Sequence, residues 1–178
     1  MSIIQILDKR FETFIPFEKI NAAIDKMAVK INSDLKEKTP IFLVILNGSF
    51  MFAGDLMKKM EFPCEISFIK LASYAGTKST ENVKELIGFN EDIKGRTIVI
   101  VEDIIDSGFT LAGVTKQLND MGAGEVKIAT LLYKPQAFKE NYKIDYIGLE
   151  IPNDFIVGYG LDYNQQGRNY KDIYKIVE

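Results

Sequence analysis

Two carboxylates, Glu102 and Asp103, stand directly behind four β-branched apolar residues, Ile98 to Val101, and just ahead of Asp106-Ser107-Gly108-Phe109-Thr110. The apolar run reads as a strand buried on both faces of a parallel sheet, with the acidic pair at its carboxyl end. Burying two adjacent carboxylates is costly, so that end should open on solvent or on a ligand. Past the pair, the small residues turn into a helical pattern, Leu111, Val114, Thr115 and Leu118, which Gly122 stops. Free N–H groups at a helix start, flanked by the hydroxyls of Ser107 and Thr110, suit a phosphate. Strand, acidic pair, phosphate loop and helix in that order describe a ribose phosphate, with the carboxylates taking hydroxyls and the loop taking the phosphate. An ordinary βα unit with an acidic loop is the competing reading, and a strand followed by Glu-Asp alone would favour it.

With Asp-Ser-Gly-Phe-Thr at its fixed distance behind the pair, the stretch resembles the phosphoribosyl diphosphate signature of the type I phosphoribosyltransferases. Within them it is similar to the branch that acts on hypoxanthine or guanine, from about Ile41 to Arg168. The resemblance implies an enzyme of purine salvage that moves the 5-phosphoribosyl group from phosphoribosyl diphosphate to hypoxanthine, and to guanine. It implies that Glu102, Asp103, Ile104, Ile105, Ser107, Gly108, Phe109 and Thr110 bind the ribose and phosphate, and that Asp106 serves the purine proton at N7. Leu46, Asn47 and Gly48 would meet the diphosphate, with a non-proline cis bond between Leu46 and Asn47. Many relatives have Lys or Arg in place of Asn47, so here the backbone N–H groups and Ser49 are left to bind it. By the same resemblance Ser73 and Tyr74 open a lid, Lys134 reaches the purine six-position oxygen, Phe155 stacks on the base and Ile156 offers it backbone. Arg168 would contact diphosphate, and magnesium would be the cofactor, held among Glu102, Asp103 and Asp162. Gly160 stands where some relatives have alanine, a change read as too small to matter.

The elements that must position these residues read as follows. After Pro16, Ile20, Ala23, Ile24, Met27, Ala28, Ile31 and Leu35 recur at helical spacing with lysines opposite, the mark of a packing helix. Ile41 to Leu46 is a second fully buried strand, and Asn47-Gly48-Ser49 turns it into a helix from about Phe50 to Met60. Residues 64–71, 83–89, 126–133 and 146–152 read as further strands, and 3–15 as an N-terminal strand or arm. The polar, aperiodic stretch from Ser73 to about residue 82 is on its own either a lid or an exposed hairpin. Lys134, at a strand end, on position alone fits a solvated charge; the run from Asp154 to Asn164 on composition alone fits core. Residues 172–178 read as an edge strand. The expectation is an α/β fold, a central mostly parallel sheet flanked by helices, one domain over residues 1–178 with a small hood from its later residues.

Composition narrows the chemistry. With 47% hydrophobic residues over 178, the chain buries a proper core. A net charge of −3 argues against a nucleic-acid or membrane surface. The longest apolar run is too short to cross a bilayer, and the N-terminus lacks a secretory leader. A single cysteine, Cys64, excludes an intrachain disulfide and fits a reducing cytoplasm. With no histidine, His-based triads and the commonest zinc ligand are excluded, so acid-base work falls to Asp, Glu, Lys or Tyr. A Rossmann or P-loop module is a weak rival, given the absence of Gly-x-Gly-x-x-Gly and Gly-Lys-Ser/Thr after a strand. A nucleic-acid-binding regulator on this fold finds neither charge nor room for a second domain. The first helix and the apolar segment 50–60 point to a homodimer or homotetramer.

Overall fold

The computed structural model describes residues 2–71, 86–87 and 91–177. Its centre is a six-stranded sheet in the order β5-β4-β3-β6-β7-β8, formed by β3 (Ile41–Leu46), β4 (Glu65–Leu71), β5 (Leu86–Ile87), β6 (Thr97–Ile105), β7 (Glu125–Tyr133) and β8 (Tyr146–Glu150). Five strands run parallel and β5 alone is antiparallel, at the β4 edge. β3 and β6 occupy the middle because their unbroken Ile/Val/Leu runs satisfy two buried faces at once.

Helix α1 (Phe17–Leu35) buries the seven residues its periodicity singles out, Ile20 through Leu35, over β7 and β8. It shares one core layer with α2 (Phe50–Met57), which is shorter than the sequence pattern suggests. On the other face α3 (Phe109–Asp120) inserts Leu111, Val114 and Leu118 into a second core layer with Leu43, Ile98 and Ile100.

The hood is a separate four-stranded antiparallel sheet in the order β1-β2-β10-β9, from β1 (Ile3–Ile6), β2 (Lys9–Ile15), β9 (Ile156–Val157) and β10 (Ile173–Val177). It differs from expectation in two ways. Both ends of the chain build it, since β2 pairs with β10 from Arg10 opposite Val177 to Ile15 opposite Ile173. The terminal strand is consequently an interior strand of that sheet, with β2 on one side and β9 on the other. Phe11, Val157 and Tyr174 form a small core beneath it.

Candidate active site

Strands β3, β6 and β7 are parallel, so their carboxyl ends open on one edge, where ligands of open α/β sheets gather. Residues singled out from the sequence converge there from the connections after β3 and β6, and Lys134 from the one after β7. The β3–α2 loop brings Leu46, Asn47 and Gly48, and the bond between Leu46 and Asn47 is cis, as expected. The β6–α3 connection brings Glu102 to Thr110. A cavity of about 300 Å³ is lined by Leu46, Glu102, Asp103, Asp106, Gly108 and Thr110 among others, with Ile104, Ile105 and Ser107 also in its wall.

The acidic pair lies inside β6, which continues through Ile104 and Ile105 beyond it. Glu102 pairs in register with Thr130 of β7, so the ladder does not end at the carboxylates. Asp103 is 9% exposed and Glu102 partly open. Burial, then the neighbouring charge of Asp103, pushes the Glu102 carboxyl well above the usual carboxylate range. Burial also raises Asp103, against the opposing pull of its bond with Glu102, the Ile104 N–H at 2.9 Å and the positive charge of Arg168. Two carboxyls that resist ionising together form an oxygen-only donor pair that a cation or hydroxyl donors would relieve.

Gly48 is pressed against this pair: a Cβ there would lie 1.5 Å from Asp103 Oδ2. On its other side stands the hood, where a Cβ on Gly160 would lie 2.0 Å from the Gly48 carbonyl oxygen. Gly160 also has φ +98, so alanine is not an equivalent residue at this position. That corrects the reading of the difference as too small to matter. Ser49 is corrected too. Its side chain is fully buried and its hydroxyl donates back to the Ile45 carbonyl, which leaves the loop's backbone, not this hydroxyl, facing the site.

Lys134 is no solvated charge. It is 8% exposed, with Nζ 3.4 Å from Asp106 Oδ2 and 3.2 Å from Asn153 Oδ1. Asn153 escaped sequence reasoning because a single exposed amide in a loop carries no pattern. Phe155 keeps 47% exposure although Phe11 and Tyr163 pack beside it at 6.3 and 5.9 Å between ring centres. An exposed ring braced by two others is a platform for a flat ligand. The Ile156 side chain is buried, so a ligand meets only its backbone.

In the hood, Arg168 donates to the Gly160 carbonyl at 2.8 Å and pairs with Asp162 at 2.6 Å. The other Asp162 oxygen accepts from the Gln165 N–H at 2.7 Å. Among the described residues no three metal-capable side chains converge, so Asp162 is not gathered into one cluster with Glu102 and Asp103. Ser73, Tyr74 and the expected lid lie outside the described residues.

Two helices start at this edge, and neither α2 nor α3 has a side chain capping its N-terminus. The start of α1, by contrast, is served by Asp172, which accepts from the Phe17 N–H at 2.8 Å. Uncapped helix starts leave amides for an anion.

A family model described as "Phosphoribosyl transferase domain" matches residues 16–164. The chain is 38% identical to a hypoxanthine phosphoribosyltransferase of Escherichia coli over 169 residues, 93% of this chain and 95% of that protein. It is 35% identical to a hypoxanthine-guanine phosphoribosyltransferase of Mycobacterium tuberculosis, over 85% of this chain and 79% of that one. Among solved structures, a hypoxanthine-guanine phosphoribosyltransferase of Bacillus anthracis, with a HEPES molecule in its active site, superposes with TM-score 0.87 at 34% identity, covering 93% of this chain and 98% of that chain.

Proposed function

Because the chain belongs to the phosphoribosyl transferase family, we propose that it transfers the 5-phosphoribosyl group from phosphoribosyl diphosphate to hypoxanthine, and also to guanine. The products are the purine nucleoside monophosphate, IMP or GMP, and diphosphate, and the step is one of purine salvage. The observation that carries the reading is the convergence at one sheet edge of an acidic pair, an uncapped helix start and a buried lysine beside a carboxylate.

The reaction is attack of a purine nitrogen on C1 of the ribose with departure of diphosphate. Positive charge grows on the sugar ring and negative charge on the leaving group, so groups of both signs must stand ready. Glu102 and Asp103 hold the ribose hydroxyls and favour the cationic ring. The backbone of residues 107–110 at the α3 start takes the 5′-phosphate, and the Leu46 to Gly48 loop with Arg168 takes the diphosphate. Phe155 stacks on the purine, with the Ile156 backbone at its edge. Lys134 donates to the six-position oxygen, and Asp106, 55% exposed and beside it, takes the proton at N7. The donors present fit a hard cation, since the Glu102 and Asp103 pair offers only oxygen and repels itself. We assign magnesium to that pair; Asp162, held by Arg168 in the hood, is left out of the assignment. When bound it supplies charge neutralisation to the diphosphate.

No helix among the described residues is long and apolar enough to cross a membrane. We place the reaction in the cytoplasm, on the single free cysteine, and take the working form as a homodimer or homotetramer, on the exposed Phe50, Ile66 and Phe68. An ultraviolet assay with hypoxanthine, phosphoribosyl diphosphate and magnesium tests the activity directly. Formation of IMP is expected, and its absence with correctly folded protein would refute the assignment.

A further inference from the structure

The start of α3 faces two conflicting demands. Its amides must stay free to meet a phosphate, so no side chain caps them, yet an uncapped helix end frays unless something else holds it. Its N-cap is Gly108, at φ +88 and buried. What holds this end comes from outside, from the connection after β7. The Tyr142 hydroxyl donates to the Gly108 carbonyl at 2.8 Å, and the Lys139 N–H donates to the Ser107 carbonyl at 3.1 Å. The Gly108 carbonyl already accepts the first helical bond, from the Ala112 N–H at 3.1 Å, so Tyr142 occupies its second lone pair. Both carbonyls are thus engaged on the side away from the ligand.

The fit is close. Phe138 and Tyr142 meet edge to face with ring centres 5.2 Å apart, and Tyr133 packs on Phe138 at 5.5 Å. A Cβ on Gly108 would lie 2.6 Å from the Phe138 ring and 2.9 Å from the Tyr142 oxygen. Gly108 is therefore required both by its φ and by the aromatic pair behind it. The same connection begins at Lys134, whose carbonyl accepts from the Phe138 N–H at 3.2 Å. One short segment thereby joins the purine-reading lysine to the back of the phosphate loop.

We propose that Tyr142 is a positioning residue for the 5′-phosphate, fixing the peptide at Gly108 from behind so that the α3 amides point at the ligand. The proposal rests on the assignment of the α3 start to that phosphate. Burial, helped by the charges of Glu140 and Glu102, raises the Tyr142 phenol above its ordinary range, which keeps it a donor throughout the working pH.

Equilibrium binding of IMP and of inosine, which has the same base and sugar without the phosphate, tests it. Tyr142→Phe keeps the ring and removes the bond. IMP affinity should fall roughly 3- to 10-fold, the loss of one hydrogen bond, while inosine affinity stays at the wild-type value. The KM for phosphoribosyl diphosphate should rise with the KM for hypoxanthine unchanged. Tyr142→4-aminophenylalanine, which keeps a donor at the ring's end, should restore IMP binding. Unchanged IMP affinity in Tyr142→Phe, or an equal loss for IMP and inosine, overturns the proposal, the second result being that of a merely structural residue. Should the Phe variant not fold, 4-fluorophenylalanine at the same position fills the space without a donor and is read by the same two outcomes. A wild type that does not prefer IMP to inosine refutes the phosphate assignment itself, a separate result from failure of the Tyr142 role.

Discussion

Removing the Lys134 ammonium should abolish the choice of 6-oxopurines over adenine, and the structure gives the size of the effect. An ammonium carries three N–H donors and no acceptor. Two of the three are directed at Asp106, 3.4 Å away, and Asn153, 3.2 Å away, which leaves one for the base. The lysine side chain is nearly out of solvent, so that donor has little water to fall back on. Hypoxanthine offers it an oxygen; adenine offers an amino group, donor against donor. A hydrogen bond from a charged group contributes about 1.5–3 kcal/mol, so Lys134→Ala should lower kcat/KM for hypoxanthine by roughly 10- to 150-fold. Adenine, which gains nothing from the lysine, should lose little, and the hypoxanthine-to-adenine ratio should fall by nearly the whole of that factor. Binding of phosphoribosyl diphosphate should change little, because the sites proposed for its sugar and phosphates lie against β6 and the α3 start. Steady-state kinetics with both bases on both proteins measures the ratio. An unchanged ratio would refute the reasoning, whatever happened to the absolute rates.

Asp106→Asn retains size and polarity but loses basicity, so turnover should drop on the order of 10² to 10⁴-fold with phosphoribosyl diphosphate binding kept, measured by rate and titration together. Gly48→Ala forces a methyl into Asp103 Oδ2 at 1.5 Å, and the displaced carboxylate should raise the KM for phosphoribosyl diphosphate far more than that for hypoxanthine. Asp55 is subject to burial that would raise its carboxyl, but its contacts with Lys58 at 2.6 Å and the Tyr159 hydroxyl at 2.5 Å prevail and hold it below the usual range. A folded pKa below the unfolded one gives stability that is present above the unfolded value and lost as pH falls through the folded value. The melting temperature of Asp55→Ala should accordingly lie below wild type at neutral pH, with the gap narrowing below about pH 4; a gap independent of pH would show that only packing was lost.

Period and run length made the middle of the main sheet legible because its inner strands announce their own burial. Ile41 to Leu46 and Ile98 to Val101 need two buried faces wherever they sit, and α1 needs one, so their roles follow from local pattern. The acidic pair was legible as chemistry but not as geometry. Ile104 and Ile105 continue the β-branched run past it, and the ladder with β7 carries the carboxylates into the strand, where burial raises them both. The hood was legible only in part, since β2 and β10 meet across most of the chain and β1 to β2 carry no marker of that partner. Long-range pairing is decided by what the rest of the fold leaves exposed. Asn153 and Tyr142 are of the same kind: each works through one bond to a residue that sequence does identify, Lys134 in one case and Gly108 in the other. A side chain that contacts ligand is constrained by the ligand's chemistry and so recurs in a motif with fixed spacing. A side chain that only orients another is constrained by distance in space, and any loop that brings a donor or acceptor to the right point will serve. The groups that set the angle of a site are for that reason the last to be found from sequence, and a hydrogen bond such as that from Tyr142 to Gly108 is where they first come into view.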